Sequence, residues 1–215
     1  MKKGIIFDMD GTLWDSAAGV AASWTEIVQK QYKKDMVITE ADVKSVMGKT
    51  MDVIAQIVFP ELSQDKQMEL LDACCDYEND YLREHGGILY PKLEETLATL
   101  KKDYHLYIVS NCQSGYIEAF LEHYGFDHYF DDIECYGNNL KSKGENIRLV
   151  IERNGLDKAV YVGDIQGDYE ATCQAGATFI HAKYGFGTIK DEVAEIMTFS
   201  ELVAVAKEVF ASLEA

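Results

Sequence analysis

The stretch "GIIFDMDGTLWDS", residues 4–16, decides the fold. Ile5, Ile6 and Phe7 form an apolar run too short for a helix, which reads as a buried strand. The run stops at Asp8, Asp10 follows two residues on, and Gly11 and Thr12 read as the turn leaving the strand. Alternation along an extended chain points Asp8 and Asp10 to the same side. Two carboxylates on one side repel each other and raise each other's pKa. A metal ion, or a proton held for acid–base chemistry, relieves that repulsion. Two acids ending a buried strand have no evident structural purpose.

The 215 residues suffice for one large domain, or a core with a modest insert. A hydrophobic content of 47% allows a proper core, and 27% charged residues suit a soluble globular chain. With 37 acidic against 20 basic side chains, the net charge of −17 argues against nucleic acid or an anionic membrane as a general partner. A small phosphorylated substrate stays compatible, because a local lysine and a metal reverse the sign inside a cleft. The five cysteines show no C-x-x-C spacing and the five histidines are scattered, so no zinc ligand set is present. They read as reduced thiols of the core, Cys112 included although it borders a polar strand end. "MKKGIIFD" has too few apolar residues for a signal peptide, and no run reaches the length of a membrane span. A cytoplasmic protein is expected.

Residues 17–84 read as helices throughout. Met68, Leu71, Cys74, Cys75, Tyr81 and Leu82 recur at helical steps, with Glu78 alone breaking the apolar stripe, and residues 48–59 form a second stripe closed by Pro60. From "HGGILYP" (85–91) onward, helices alternate with short apolar runs at 106–111, 132–136, 159–164 and 177–182. That alternation implies βαβ units and a parallel sheet covered on both faces. The expected organisation is a Rossmann-like α/β core of residues 1–16 and 87–215, with a helical insert over 17–86 after the first strand. Thr198 and Glu201 have capping-box spacing before a closing helix striped by Phe199, Leu202, Val203, Ala206, Phe210 and Leu213.

Three strands end in a polar residue and a turn: at Asp8, at Ser110-Asn111, and at Asp164 of "GDIQGD", which also holds Asp168. Ligands bind at the carboxyl edge of open parallel sheets, so these groups converge on one rim. Several carboxylates there need a cation, and an all-oxygen donor set suits Mg²⁺. A hydroxyl, an amide and turn N–H groups suit a phosphate, with a lysine of "LKSKGENI" as charge partner: Lys143 directly at a helix start, or Lys141. A carboxylate meeting a phosphate dianion at ~4 Å is repelled by roughly 8 kcal/mol at an effective dielectric of 20, which a metal and a lysine offset. Taken singly, each feature has a plainer reading. Aspartates cap turns, "SN" is ordinary turn chemistry, lysines are solvated, and Trp14 reads as a partly buried packing residue. The combination does not.

"DMDGTLWDS", "VSN", the lysine of "KGENI" and "GDIQGD" resemble, in order along nearly the whole chain, the four motifs of the haloacid dehalogenase-like hydrolases. The resemblance is to their phosphoglycolate phosphatase and β-phosphoglucomutase-like branch. One departure is Gly144, where the family commonly has proline after the lysine. The resemblance implies a Rossmann-like core and a helical cap after the first strand. It also implies that Asp8 attacks phosphorus to form an aspartyl-phosphate, while Asp10 protonates the leaving oxygen and then deprotonates water. Gly11, Thr12, Ser110, Asn111 and Lys143 would hold the substrate. Mg²⁺ would sit on Asp8, the Asp10 backbone carbonyl and Asp164, with Asp168 as ligand or just behind.

The implied activity is hydrolysis of a small phosphomonoester. A phosphosugar mutase also keeps both aspartates and is the alternative, followed by a non-catalytic phospho-acceptor. Asp10 argues against the dehalogenase and phosphonate-cleaving members, which lack that acid. The "MGKT" turn, Met47 to Thr50, is expected to close over the phosphoester, where Lys49, its only cation, could pair with an anionic group of the substrate.

Overall fold

The apolar run that opens the chain becomes β1 (Lys3–Phe7) at the centre of a parallel sheet. The structure, a computed structural model, describes residues 1–214. In chain order the elements are β1, β2 (Trp14–Asp15), α1 (Ala17–Gln31), α2 (Glu40–Val46), α3 (Met51–Val58), α4 (Gln64–His85), β3 (Ile88–Leu89), α5 (Leu93–Leu100), β4 (His105–Ser110) and α6 (Tyr116–Tyr124). They continue with β5 (Asp132–Cys135), α7 (Tyr136–Asn139), α8 (Lys143–Asn154), β6 (Lys158–Gly163), α9 (Gln166–Ala175), β7 (Thr178–Ala182), β8 (Ala194–Ile196) and α10 (Leu202–Ser212). The six-stranded sheet runs β5-β4-β1-β6-β7-β8 with every pairing parallel.

Period-two alternation divides the strands between two layers. Ile5, Phe7, Leu106, Ile108, Val160 and Val162 belong to a core cluster shared with α5, α6 and α10. Ile6, Tyr107, Val109 and Tyr161 belong to a second cluster with α8 and α9. Because both faces are covered, the strands read as continuous apolar runs. Register then aligns the ends that carry the polar residues. Phe7 pairs with Ile108 on one side and Val162 on the other, and the Asp8 N–H donates to the Val162 carbonyl at 2.9 Å.

All the regular elements between β2 and β3 are helices, α1 to α4, and the two short strands pair antiparallel where the chain leaves and returns. Several local expectations are corrected. Trp14 is fully buried, packed edge-on against Tyr116 and Phe120. Thr198 does not cap: the Glu201 carboxylate accepts from the Met197 N–H at 2.7 Å, and a 3-10 turn (Phe199–Glu201) precedes α10. Val203 faces outward at 36% exposure, while Leu202, Ala206 and Phe210 carry the buried stripe. Asn111 lies beyond β4, in the turn. Cys173 is exposed, whereas the other four cysteines are buried. No helix among the described residues is long and apolar enough to cross a membrane.

Candidate active site

Strand ends and helix starts bring the acids together. Asp8 directly follows β1, Asp164 follows β6, and Asp168 sits in the first turn of α9. One carboxylate oxygen from each lies within 4.8 Å of the others, and all three residues are buried. Lys143 enters from the first position of α8, where Ser142 caps the Glu145 N–H and the Glu145 carboxylate answers the Ser142 N–H. Its ammonium donates to Asp8 Oδ1 at 2.9 Å and to Asp168 Oδ1 at 2.6 Å. Lys141 is exposed, so Lys143 alone reaches the rim.

The acids differ in what holds them. Both Asp168 oxygens are used: Oδ1 by Lys143, and Oδ2 by the Asp164 and Ile165 N–H groups at 3.1 and 3.2 Å. Asp168 therefore braces the α9 start and orients Lys143. Asp164 Oδ2 accepts from the Phe186 N–H at 2.7 Å, but its Oδ1 is buried with no hydrogen-bond partner among the described residues. A buried orphan oxygen beside two further carboxylates is a donor set that fits a hard divalent cation.

Asp10 serves a different neighbourhood. Met9, between the two acids, is fully buried in the core. Asp10 Oδ1 accepts from Ser16 Oγ at 2.6 Å and Tyr116 Oη at 2.7 Å, and these two hydroxyls lie 2.8 Å apart. Burial pushes the Asp10 carboxyl up to about 6, against the lowering effect of both hydroxyls. Burial raises Asp8 to about 7, opposed by the Lys143 ammonium. Asp164 is raised well above its ordinary value by burial, then by the Asp168 and Asp8 charges. Burial works against the Lys143 charge, yet Asp168 and Asp8 outweigh it and raise its pKa.

Two openings meet at the turn after α2. A cavity of about 50 Å³ takes in Asp10, Ser110, Asn111, Cys112 and Tyr116 from the sheet side. A cleft of about 270 Å³ takes in Asp8, Asp10, Asp164 and Phe186. Met47, Gly48 and Lys49 line both. The Asn111 side-chain amide donates to the Gly48 carbonyl at 2.9 Å, tying the helical segment to the rim. Lys49 is exposed and makes no ion pair or side-chain hydrogen bond among the described residues. Ser110 is buried at the cavity wall.

Gly11 and Thr12 line neither opening. Gly11 has φ +82°, and a Cβ there would meet Asp164 Oδ2 at 2.2 Å, so the turn is glycine to let that carboxylate pass. Thr12 is fully buried with its hydroxyl unpartnered, and its carbonyl accepts from Tyr184 Oη at 2.8 Å. Sequence reasoning missed Ser16, Tyr116 and Glu78. Only Glu78 carried a signal, as the one acid in an apolar stripe.

The haloacid dehalogenase-like hydrolase family profile matches residues 5–182, and the chain belongs to that family. Phosphoglycolate phosphatase of Shigella boydii serotype 4 (strain Sb227) is 26% identical, covering 86% of this chain and 82% of its own. A solved haloacid dehalogenase-like family protein from Streptococcus pneumoniae superposes with a TM-score of 0.79 at 21% identity, covering 94% of this chain and 97% of its own. CbbY from Rhodobacter sphaeroides, solved in complex with phosphate, gives 0.79 at 18% identity, covering 96% and 100%. Family membership and phosphatase relatives along most of the chain identify a phosphatase.

Proposed function

We propose that the protein hydrolyses a small phosphomonoester, with Mg²⁺, through an aspartyl-phosphate on Asp8. The observation that carries this reading is the buried Asp8 carboxylate, gripped on one oxygen by Lys143 and set beside the orphan oxygen of Asp164. Asp8, Asp164 and the Asp10 backbone would hold the metal, which when bound supplies positive charge against the phosphoryl oxygens.

The chain's own groups do the rest. An Asp8 oxygen forms a bond to phosphorus while the bond to the leaving alcohol breaks. Asp10, its carboxyl raised to about 6, gives that alkoxide its proton. Asp10 then takes a proton from water as the water oxygen attacks phosphorus and the bond to Asp8 breaks, releasing inorganic phosphate. Ser16 and Tyr116 aim Asp10 by holding one of its oxygens, leaving the other for the proton. Ser110 and Asn111 bind phosphoryl oxygens, and Lys143 stabilises the charge that develops there. The helical segment 17–86 acts as a cap that excludes water, with Lys49 drawing the dianion to the mouth.

The test is phosphate release from p-nitrophenyl phosphate with and without Mg²⁺. A linear time course of many turnovers, lost on chelation and lost in Asp8→Asn, is expected. Saturation at one phosphate per chain indicates a phospho-acceptor, and metal-independent turnover overturns the reading. Phosphoglycolate, named for the curated relatives, is the natural first metabolite to compare.

A further inference from the structure

The inner end of the substrate cavity has a chemistry that the reaction does not use. Its walls are Val20, Val43, Val46, Met47, Met51 and Ile54, all from the helical segment or its turns. Into this apolar space α4 places one carboxyl, Glu78, which is only 3% exposed. Trp24 Nε1 donates to Glu78 Oε2, and Gln113 Nε2 donates to Oε1 at 3.1 Å. Gln113 is itself fixed by a second bond, to Asn79 Oδ1 at 3.1 Å. The carboxyl is thus positioned by two donors from opposite sides, one from α1 and one from the turn after β4, without any cation.

Nothing in the proposed reaction needs this group, and burying it is costly unless something compensates. Among the described residues no buried cation lines the cavity, and Lys49, the one basic residue there, is exposed at the mouth. A leaving group ending in a carboxylate or second phosphate would lose its water among aliphatic walls with no buried cation to take its place. A leaving group ending in an amine or hydroxyl would add a third donor to a carboxyl that so far has only two uncharged ones, and an ammonium would also supply the opposite charge that this end of the cavity lacks. Burial raises the Glu78 carboxyl to about 8, against the lowering effect of the Gln113 and Trp24 donors.

We propose that Glu78 selects phosphomonoesters whose leaving alcohol carries an amine or further hydroxyl at its far end, and rejects those ending in a carboxylate or second phosphate. This rests on the phosphatase reading above and adds the substrate class. Glu78 is a specificity residue: it would touch the leaving group, not the reacting phosphorus.

The experiment compares kcat/KM on two phosphomonoesters of similar length, O-phosphoethanolamine and phosphoglycolate, for the parent and Glu78→Gln. Their ratio cancels whatever the substitution does to folding or to phosphoryl transfer. The parent is expected to favour O-phosphoethanolamine by at least about 10-fold, the scale of one charge-assisted hydrogen bond, and Glu78→Gln to bring the ratio within about 3-fold of one. Preference of the parent for phosphoglycolate, or an unchanged ratio in Glu78→Gln, overturns the proposal. p-Nitrophenyl phosphate separates the two failures, since turnover of it without discrimination between the metabolites spares the phosphatase reading and sinks the role of Glu78. If no ester is turned over, the phosphatase reading fails, and calorimetric titration of Asp8→Asn with the same two compounds still decides. Tighter binding of O-phosphoethanolamine by about 10-fold supports the proposal, and equal, weaker or absent binding overturns it.

Discussion

Four acids of the two openings and their walls are distinguished by their donors rather than by their type. Asp8 is held by an ammonium, Asp10 by two hydroxyls, Asp168 by an ammonium and two N–H groups, and Glu78 by an indole and an amide. Asp10→Asn keeps an oxygen for Ser16 and Tyr116 but no transferable proton, so kcat is expected to fall at least 10²-fold with little change in melting temperature. Retention of most activity in a steady-state assay would reassign the proton to another group. Lys143→Met leaves Asp8 and Asp168 facing each other without a cation, and urea unfolding should register a loss of about 3–5 kcal/mol. Lys141→Ala, at an exposed position, should change neither stability nor rate appreciably. For Glu78 the sign follows from its proton affinity. The folded protein holds that proton up to about pH 8, whereas the ordinary value is 4.5. Between those values the folded state carries more protons than the unfolded one, so stability falls as pH rises through the window. The groups facing Glu78 are the Trp24 and Gln113 donors, the Asp10 charge, and the Cys74, Cys75 and Tyr116 side chains. Glu78→Gln removes the titration, so its stability relative to the parent should rise by about 1–4 kcal/mol between pH 5 and pH 8 in urea melts. A constant difference across that range would mean that Glu78 ionises normally.

At the scale of elements, the turn between α2 and α3 carries the most consequence for its size. Gly48 has φ +79°, and a Cβ there would lie 2.5 Å from Ile165 Cδ1, while its carbonyl takes the Asn111 amide. Gly48→Ala therefore pays the left-handed penalty, which strains the turn that holds the Asn111 amide, and displaces the tip of the Ile165 side chain beside Asp164. The expected outcome is a kcat/KM lower by about 10-fold, carried mainly by KM, with a melting temperature within a few degrees of the parent. An unchanged KM would detach this turn from substrate closure. Lys49→Ala should lower kcat/KM by a similar factor on carboxylated and neutral phosphomonoesters alike, because its charge stands at the mouth shared by both openings. A loss confined to anionic leaving groups would instead return specificity to Lys49. Elements with strong periodicity were legible from the chain: β1, β4, β6 and β7 as apolar runs, α4 as a stripe. β8 (Ala194–Ile196) is three residues long and polar in the middle, so its pairing with β7 is decided by tertiary contact alone. The β2–β3 ribbon is equally short, and no local pattern announces two-residue strands. Asp8, Asp10, Asp164 and Asp168 stood out because they end apolar runs or lie in the turn just beyond, and Lys143, weighed against Lys141, because it stands at a helix start. Ser16 and Tyr116 were not, since they are separated by 100 residues and meet only through the packing of α6 against the chain leaving β1.

For the molecule as a whole, a net charge of −17 and a buried acidic cluster make two different claims on cations, and stability can separate them. Diffuse surface charge is relieved by any salt through screening, in proportion to ionic strength. The cluster of Asp8, Asp164 and Asp168 is shielded from that atmosphere, so only an ion that enters and is coordinated relieves it. Binding confined to the folded state adds RT ln(1 + [L]/Kd), about 2.7 kcal/mol when the ion is at 100 times its Kd. For a chain of this size that corresponds to a rise of roughly 5–10 °C in melting temperature. Addition of MgCl₂ is therefore expected to raise the melting temperature by that amount beyond NaCl of equal ionic strength, and a chelator should reverse it. Asp164→Asn keeps the shape but loses the charge of the residue with the orphan oxygen, so it should lose the specific increment while still responding to NaCl. Its melting temperature without metal should rise, since two negative neighbours then face an amide rather than a third carboxylate. Equal stabilisation of the parent and Asp164→Asn by MgCl₂ would place the ion on the surface and leave the buried acids to Lys143 alone.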